Sequence, residues 1–143
     1  MILSRCRLVG GLAGFLVLGA PLLARAQAPA LSFIFVEADD CEPCKRWHSN
    51  EGHWWKNSAE FSRVNTVFIR SPRIHQAFTD LYWPPQLRKY RDTPDLQRAT
   101  PGYIVVRDDQ VVLTAVGYTA WRKKVYPALR EMVASADGQF KPA

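Results

Sequence analysis

The sequence predicts an α/β fold with a four-stranded mixed sheet and helices on both faces. One observation is the order of its segments, in which apolar runs of strand length and segments of helical spacing alternate as β-α-β-α-β-β-α. A second is the turn signal Arg107-Asp108-Asp109-Gln110 between the last two runs, which makes them an antiparallel hairpin. The first two runs are joined by a helix instead, which is typical of a parallel pair.

The first strand and the first helix follow each other closely. Residues 31–37 are almost wholly apolar, as expected for a central strand buried on both faces. Asp39 and Asp40 end this strand and are suited to capping the next helix. Pro43 is tolerated in the first turn of that helix because its missing N–H has no intrahelical partner to lose. The helix should continue to about Asn50, and Gly52 should bend or end it.

The remaining elements are predicted from the same periodicities. Between residues 71 and 99, Ile74, Phe78, Leu81 and Tyr82 have helical spacing, but Pro84-Pro85 breaks it, so the helix between the second and third strands is given no bounds. The other predicted elements are a second helical piece (53–61), a second strand (64–69), a third strand (102–106), a fourth strand (111–116) and a helix from Thr119 to about Ala136 with one apolar face.

Cys41-Glu42-Pro43-Cys44 comes directly after the first strand. Two cysteines at i and i+3 at a helix start have both sulfurs on one side of the first turn, where they can close a small reversible disulfide ring. The first sulfur lies where the helix dipole favours negative charge, which helps to make it a thiolate. Such a ring closes almost no loop and adds little chain-entropy stabilisation, so the pair is interpreted as reactive rather than structural. The same spacing also occurs as half of a zinc site.

The N-terminus has the pattern of an export signal. Arg5 and Arg7 precede the apolar stretch 8–23, and Ala24-Arg25-Ala26 supplies the small-x-small pattern that signal peptidase recognises. We therefore expect residues 1–26 to be a signal peptide cleaved after Ala26 or Ala28, with a retained membrane anchor as the alternative. The protein is then periplasmic, with a domain over residues 31–136 and a tail over 137–143.

Processing changes the charge and the cysteine count. The full chain carries a formal charge of +6 and three cysteines; cleavage after Ala26 removes three arginines and Cys6, which leaves +3 and two cysteines on about 117 residues. That length is enough for one domain with a modest core. No basic tract is dense enough to predict binding to nucleic acid. We expect a monomer.

Two motifs together resemble the thioredoxin superfamily. They are Cys-Glu-Pro-Cys after the first strand and Ala99-Thr100-Pro101-Gly102-Tyr103 before the third, and the resemblance covers residues 31–133. It implies a thioredoxin-like fold in which Pro101 is cis and faces the cysteine pair. The stretch from Cys41 to Trp47 is also similar to small periplasmic thioredoxin-like proteins associated with bacterial sulfur oxidation. Asp40 and Glu42 depart from thioredoxin itself, which has tryptophan and glycine there.

The resemblance also implies roles and partners. Cys41 is the accessible attacking thiol and Cys44 the shielded resolving thiol. The expected partners are thiols or disulfides of exported proteins and a membrane protein that recycles the pair; no cofactor beyond the redox-active disulfide and no metal is expected. The remaining predicted site residues are Thr100 and Pro101, which contact the substrate, and Glu42, Pro43 and Trp47, which support the site, Trp47 mainly by packing.

Charges near Cys41 bear on the direction of exchange. Carboxylates at Asp39, Asp40 and Glu42 should raise the pKa of the Cys41 thiol, whereas Lys45, Arg46 and the helix terminus should lower it. Because nearby carboxylates disfavour the thiolate that stabilises the reduced form of strong oxidants, the protein is expected to act as a reductant.

Several further residues have two interpretations each. The alternative function is a copper or zinc carrier in which His48 joins Cys41 and Cys44 as a third ligand. One of Trp54 and Trp55 is expected in the core and the other on the surface. Arg88, Lys89, Arg91 and Arg98 are interpreted as a solvated face, with docking to an acidic partner as the alternative.

Overall fold

The computed structural model describes residues 30–138, so the predicted signal peptide and residues 139–143 of the predicted tail lie outside the described part. Four strands form one sheet in the order β2-β1-β3-β4, which places β1 in the interior of the sheet. The strands are β1 (Leu31–Ala38), β2 (Asn65–Ser71), β3 (Gly102–Arg107) and β4 (Gln110–Val116).

The sheet is mixed, as predicted. Strand β1 is parallel to β2, with Val36 opposite Ile69, and antiparallel to β3, with Val36 opposite Gly102. Strands β3 and β4 form the predicted hairpin. Asp108 and Asp109 make its turn with φ values of 50° and 67°, a conformation that aspartate tolerates better than most residues.

The first helix is continuous from residue 42 to 56. It consists of α1 (Glu42–Trp47), a π-helical turn (His48–Gly52) and α2 (His53–Lys56). Of the two predicted alternatives for Gly52, that it ends the helix is wrong, because Gly52 has helical angles (φ −63°, ψ −40°) and α2 continues to Lys56. A Cβ on Gly52 would lie 3.0 Å from the Trp47 ring, so the glycine permits close packing instead. The predicted helical piece 53–61 stops at Lys56, and a 3₁₀ turn follows at Phe61–Arg63.

One face of the sheet is covered by this helix and by a C-terminal helix. The latter consists of α4 (Tyr118–Ala120), a π-helical turn (Trp121–Val125) and α5 (Tyr126–Gly138). No helix in the described residues is both long and apolar enough to span a bilayer. Between helices and sheet lies an aromatic core whose rings contact each other: Phe33, Phe35, Trp47, Trp55, Tyr103 and Trp121.

The opposite face is covered by the segment between β2 and β3, for which the sequence predicted helical spacing without definite bounds. It contains 3₁₀ turns at Ile74–Gln76 and Pro85–Leu87 and one α-helical turn, α3 (Arg88–Arg91). The indole N–H of Trp83 donates to the Ala77 carbonyl at 2.8 Å, which satisfies this buried donor. The second core consists of Ala77, Trp83 and Leu96 against Ile34, Val36, Ile69, Ile104 and Val106.

Candidate active site

Cys41 caps the first helix. Its backbone is extended (φ −91°, ψ 101°), and its sulfur accepts a hydrogen bond from the Cys44 N–H at 3.3 Å. Its carbonyl accepts from the N–H groups of Cys44 and Lys45 at 3.1 and 3.2 Å. Glu42 and Pro43 are the first two helical residues, so the proline lies where its missing N–H costs no helix bond. The capping group is therefore the sulfur and not an aspartate side chain.

Cys41 and Cys44 form a disulfide, with their Cα atoms 5.3 Å apart. Both are buried, with 0% and 1% of their surface exposed, and they pack against Ala38 at the end of β1. The expectation of an accessible Cys41 and a shielded Cys44 does not hold for this oxidised form, in which both are shielded. The feature that distinguishes them is position, because only Cys41 lies at the helix terminus.

The carboxylates beside Cys41 are all paired with cations. Asp39 lies 2.5 Å from Arg70. Asp40 lies 3.8 Å from Arg73 and accepts a hydrogen bond from the Ile74 N–H at 2.8 Å. These two aspartates therefore connect the active-site loop to the end of β2 and to the segment that follows it.

Glu42 and Lys45, on the first turn of α1, form a third such pair at 3.5 Å. The carboxylates therefore do not act as three free charges on the Cys41 sulfur, as the sequence suggested. Each one offsets a cation that would otherwise favour the thiolate.

The loop before β3 lies at the same end of the sheet. The Thr100–Pro101 peptide bond is cis, and the Pro101 carbonyl accepts a hydrogen bond from the Gly117 N–H at 2.9 Å. Since Gly102 is opposite Val36 in the β1–β3 ladder, Pro101 is at the end of β1 that leads into Cys41. The Thr100 hydroxyl is buried and has no hydrogen-bond partner within residues 30–138.

Trp47 supports the site by packing. It is fully buried, stacked on Phe35 with ring centroids 4.4 Å apart and edge-on to Trp121 at 5.1 Å. Because Trp47 is on the same helix as the cysteines, these contacts fix that helix against the sheet. The Trp54 and Trp55 prediction is confirmed, since Trp55 is buried and Trp54 is 47% exposed.

His48 does not join the sulfurs. Its Nε2 lies 2.5 Å from Oε2 of Glu37, a carboxylate on β1 that is only 5% exposed. The described residues contain no group of three or more cysteine, histidine or acidic side chains arranged to hold a metal ion. The carrier interpretation therefore loses its third ligand. The sequence signal for the Glu37–His48 pair is Glu37 itself, an acidic residue in an otherwise largely apolar strand, which needs a partner when it is buried.

A second buried carboxylate, Glu51, lies on the π-helical turn of the first helix. It accepts hydrogen bonds from Arg122 at 2.7 Å and from the Tyr118 hydroxyl at 3.2 Å, and Tyr118 in turn accepts one from Asn50. These contacts join the first helix to α4. The sequence does not indicate these contacts, because the partners are 67 to 71 residues apart.

The basic stretch after Pro85 is neutralised within the chain. Asp80 pairs with two of its arginines, Arg88 at 3.5 Å and Arg91. Hydrogen bonds from Arg91 hold the pKa values of Asp80 and Asp92 below the usual range, and one from Lys89 does the same for Asp109. The surface is therefore an internal ion network rather than a free cationic face. Its other pairs are Lys89–Asp109, Arg91–Asp92 and Arg98–Asp92.

Solved structures with a similar architecture are known. The chain is similar to the periplasmic thioredoxin SoxS from Paracoccus pantotrophus in its reduced form, with a TM-score of 0.50 and 19% sequence identity over 74% of this chain and 98% of that one. The chain has the thioredoxin fold. The resemblance expected from the Cys-Glu-Pro-Cys and Thr-Pro motifs is thereby confirmed at the level of the fold.

Other structural matches to the thioredoxin fold are weaker. A thioredoxin from Malassezia sympodialis (Mala s 13) gives a TM-score of 0.48 at 18% identity, covering 71% of this chain and 76% of that one. Spinach chloroplast thioredoxin f gives 0.47 at 14% identity, covering 73% and 78%. No protein-family model and no curated protein matches the sequence.

Proposed function

We propose that the protein is a thiol–disulfide oxidoreductase that exchanges disulfides with exported proteins through Cys41 and Cys44. The observation that carries the proposal is the Cys41–Cys44 disulfide at the N-terminus of a helix in a thioredoxin fold. After reduction, the N–H group that now points at the Cys41 sulfur and the helix dipole favour a thiolate there. A thiolate is the species that attacks a disulfide.

The proposed reduction proceeds in two exchanges. The Cys41 thiolate attacks one sulfur of a client disulfide, which forms a mixed disulfide and releases the first client thiolate. The Cys44 thiolate then attacks the Cys41 sulfur, which closes Cys41–Cys44 and releases the second client thiolate. Two electrons pass to the client, whose thiolates take protons from water. Thr100 and Pro101, at the same end of the sheet as Cys41, are the proposed contacts for the client backbone.

The proposed compartment is the periplasm. Residues 1–26 have the charge and hydropathy pattern of an export signal. The structurally similar SoxS is itself described as a periplasmic thioredoxin, which supports the same placement. A periplasmic reductant needs electrons from the other side of the membrane, so we propose a membrane thiol–disulfide protein as the recycling partner.

The proposed direction is reduction. A strong oxidant needs neighbouring cations that stabilise the thiolate of its reduced form. Near Cys41, the cations Lys45, Arg70 and Arg73 are each paired with a carboxylate. Arg46 has no ion pair within the described residues and lies over the Tyr118 ring. The three paired cations add little to the stability of the reduced form, which favours a protein that gives electrons to its clients.

Serine substitutions of the two cysteines test the function. Cys44→Ser leaves an attacking thiol with no resolving partner, so clients should accumulate as mixed disulfides that migrate as new bands on a non-reducing gel and disappear on reduction. Cys41→Ser leaves only the thiol inside the first turn, and we expect it to trap at least about tenfold less. Both variants are expressed from the full chain in cells that export it.

The outcomes separate the assignments. Equal trapping by the two variants would overturn the assignment of attacker and resolver. No trapping by Cys44→Ser, together with failure of the purified wild type to accelerate the reduction of insulin by dithiothreitol, would overturn the proposed function itself. Loss of zinc or copper(I) binding in both variants without any trapping would favour the carrier.

A further inference from the structure

Arg46 and Lys123 differ from the charged residues that directly precede them in the sequence. Arg46 follows Cys44 by two residues on α1, and Lys123 is on the π-helical turn after α4. Both are exposed, and neither has a carboxylate within ion-pair distance in the described part of the chain. By contrast, Lys45 and Arg122, their sequence neighbours, pair with Glu42 and Glu51.

Tyr118 joins these two cations into one surface. The Arg46 guanidinium lies over the Tyr118 ring, 5.6 Å from its centroid, which restricts the arginine without neutralising it. Tyr118 also lines a shallow hollow of about 160 Å³ together with Thr119, Arg122 and Lys123. We call Arg46, Tyr118, Arg122 and Lys123 the Tyr118 surface.

The Tyr118 surface is next to the proposed site of exchange. Gly117, which precedes Tyr118, donates its N–H to the carbonyl of Pro101 at 2.9 Å. Arg46 is on the helix that begins at the disulfide. A client chain that lies across Cys41 and Pro101 would therefore extend onto this surface within a few residues of its own cysteine.

The charge of the Tyr118 surface defines what it can accept. Its carboxylate, Glu51, is buried and already offset by Arg122, so Arg46 and Lys123 are in excess. On the other side of the disulfide, Asp39 and Asp40 are paired and leave no comparable excess. The basic residues of the stretch 88–98, the obvious cationic segment in the sequence, are paired with carboxylates in an ion network.

We propose that the Tyr118 surface binds an acidic segment of the client next to its reacting cysteine. This inference rests on the proposed function and adds a substrate class to it, namely disulfides flanked by aspartate or glutamate. Rim charges of this kind act mainly on association rate and are screened by salt, with a Debye length of about 10 Å at 0.1 M. The preference should therefore weaken as ionic strength rises.

The test uses two synthetic peptides that each carry one intramolecular disulfide. They are identical except that four flanking positions are glutamate in one and lysine in the other. The measured quantity is the ratio of their second-order reduction rates by the pre-reduced protein at low salt. Because it is a ratio, it cancels any change in the intrinsic reactivity of Cys41 in a variant. We expect the wild type to reduce the acidic peptide roughly tenfold faster.

The variant Arg46→Glu/Lys123→Glu should bring this ratio to within about twofold of one or invert it. The matched control is Lys56→Glu/Arg107→Glu, which makes the same change in net charge. Lys56 ends the first helix and Arg107 ends β3, both far from the disulfide, and neither has an ion-pair carboxylate within the described residues. The control should keep the wild-type ratio.

Three results would overturn the inference. A wild-type ratio near one means that the surface does not select for charge. An equal fall in both double variants means that net charge and not the Tyr118 surface is responsible. Failure of the wild type to reduce both the acidic and the basic peptide overturns the proposed function and this inference with it, whereas rapid reduction of both at one rate overturns the inference alone.

Discussion

Gly52 is in the interior of a helix, and the cost of replacing it depends on the Trp47 side chain one turn away. Its position against the fully buried Trp47 ring leaves 3.0 Å between that ring and the site of a Cβ. Trp47 is held between Phe35 and Trp121 and has little room to move. The usual benefit of replacing a helical glycine by alanine, about 1 kcal/mol, therefore competes with overpacking, which costs about 1–3 kcal/mol.

We expect Gly52→Ala to lower the free energy of unfolding by about 1 kcal/mol, since overpacking exceeds the gain in helix propensity. In a Trp47→Phe background the contacting ring atoms are absent, so the same substitution should be neutral or stabilising. Urea unfolding of the four proteins completes the cycle. Stabilisation by Gly52→Ala in the wild-type background would show that the Trp47 ring can move aside.

The charges near Cys41 also affect a measurable quantity, the reduction potential of the Cys41–Cys44 disulfide. Lys45, Arg70 and Arg73 are paired with carboxylates and Arg46 lies over the Tyr118 ring, so these cations give the thiolate little support. We therefore expect the Cys41–Cys44 couple to lie nearer the roughly −270 mV of thioredoxin than the roughly −120 mV of a strong periplasmic oxidant. Equilibration with glutathione buffers measures it. A value above about −160 mV would contradict the electrostatic argument.

At the scale of elements, α3 and the β3–β4 turn are joined by Asp109. Its carboxylate accepts hydrogen bonds from Lys89, at 2.6 Å, and from the Tyr90 hydroxyl, and these bonds lower the pKa of Asp109. A carboxyl whose folded pKa lies below its unfolded value of about 4 stabilises the fold above that pH. The contribution is lost as pH falls through the folded pKa. Asp80 and Asp92, whose pKa values are also lowered, act in the same direction.

We expect Asp109→Asn to melt at a lower temperature than the wild type at pH 6 and to converge with it as the pH falls below about 3. The control is Asp108→Asn, in the same turn, because asparagine tolerates a positive φ as aspartate does and Asp108 has no ion pair in the described residues. Its melting temperature should follow that of the wild type throughout. A difference between Asp109→Asn and the wild type that persists in acid would exclude an electrostatic origin.

The segment between β2 and β3 shows the limit of prediction at this scale. Ile74 and Phe78 have helical spacing, but the backbone makes only short turns because Pro84-Pro85 interrupts it and its buried groups pair locally. Its position is set instead by contacts with distant residues, such as Asp40 with Ile74 and Asp109 with Lys89. Such contacts leave no periodic signal in the sequence.

At the scale of the whole molecule, the sheet is predictable because its two central strands, β1 and β3, are apolar on both faces and its hairpin has a distinct turn signal. The motif Cys41-Glu42-Pro43-Cys44 and its place at a helix start were predicted for the same reason, since they depend on adjacent residues. The pairs Glu37–His48 and Glu51–Arg122 were not, because each joins elements whose relative position only the fold determines. The sequence therefore predicts the reactive motif but not the ion pairs around it.

The five tryptophans lie in three different environments, so spectroscopy can follow separate parts of the fold without an added label. Trp47, Trp55 and Trp121 are in edge-to-face contact in one core, where their indole transitions couple. Trp83 is alone of its kind on the other face of the sheet, and Trp54 is half-exposed beside Tyr126. Near-ultraviolet circular dichroism therefore reports on the coupled cluster. The emission of Trp83, obtained as the difference between the wild type and Trp83→Phe, would record separately whether the irregular segment detaches before the helices do.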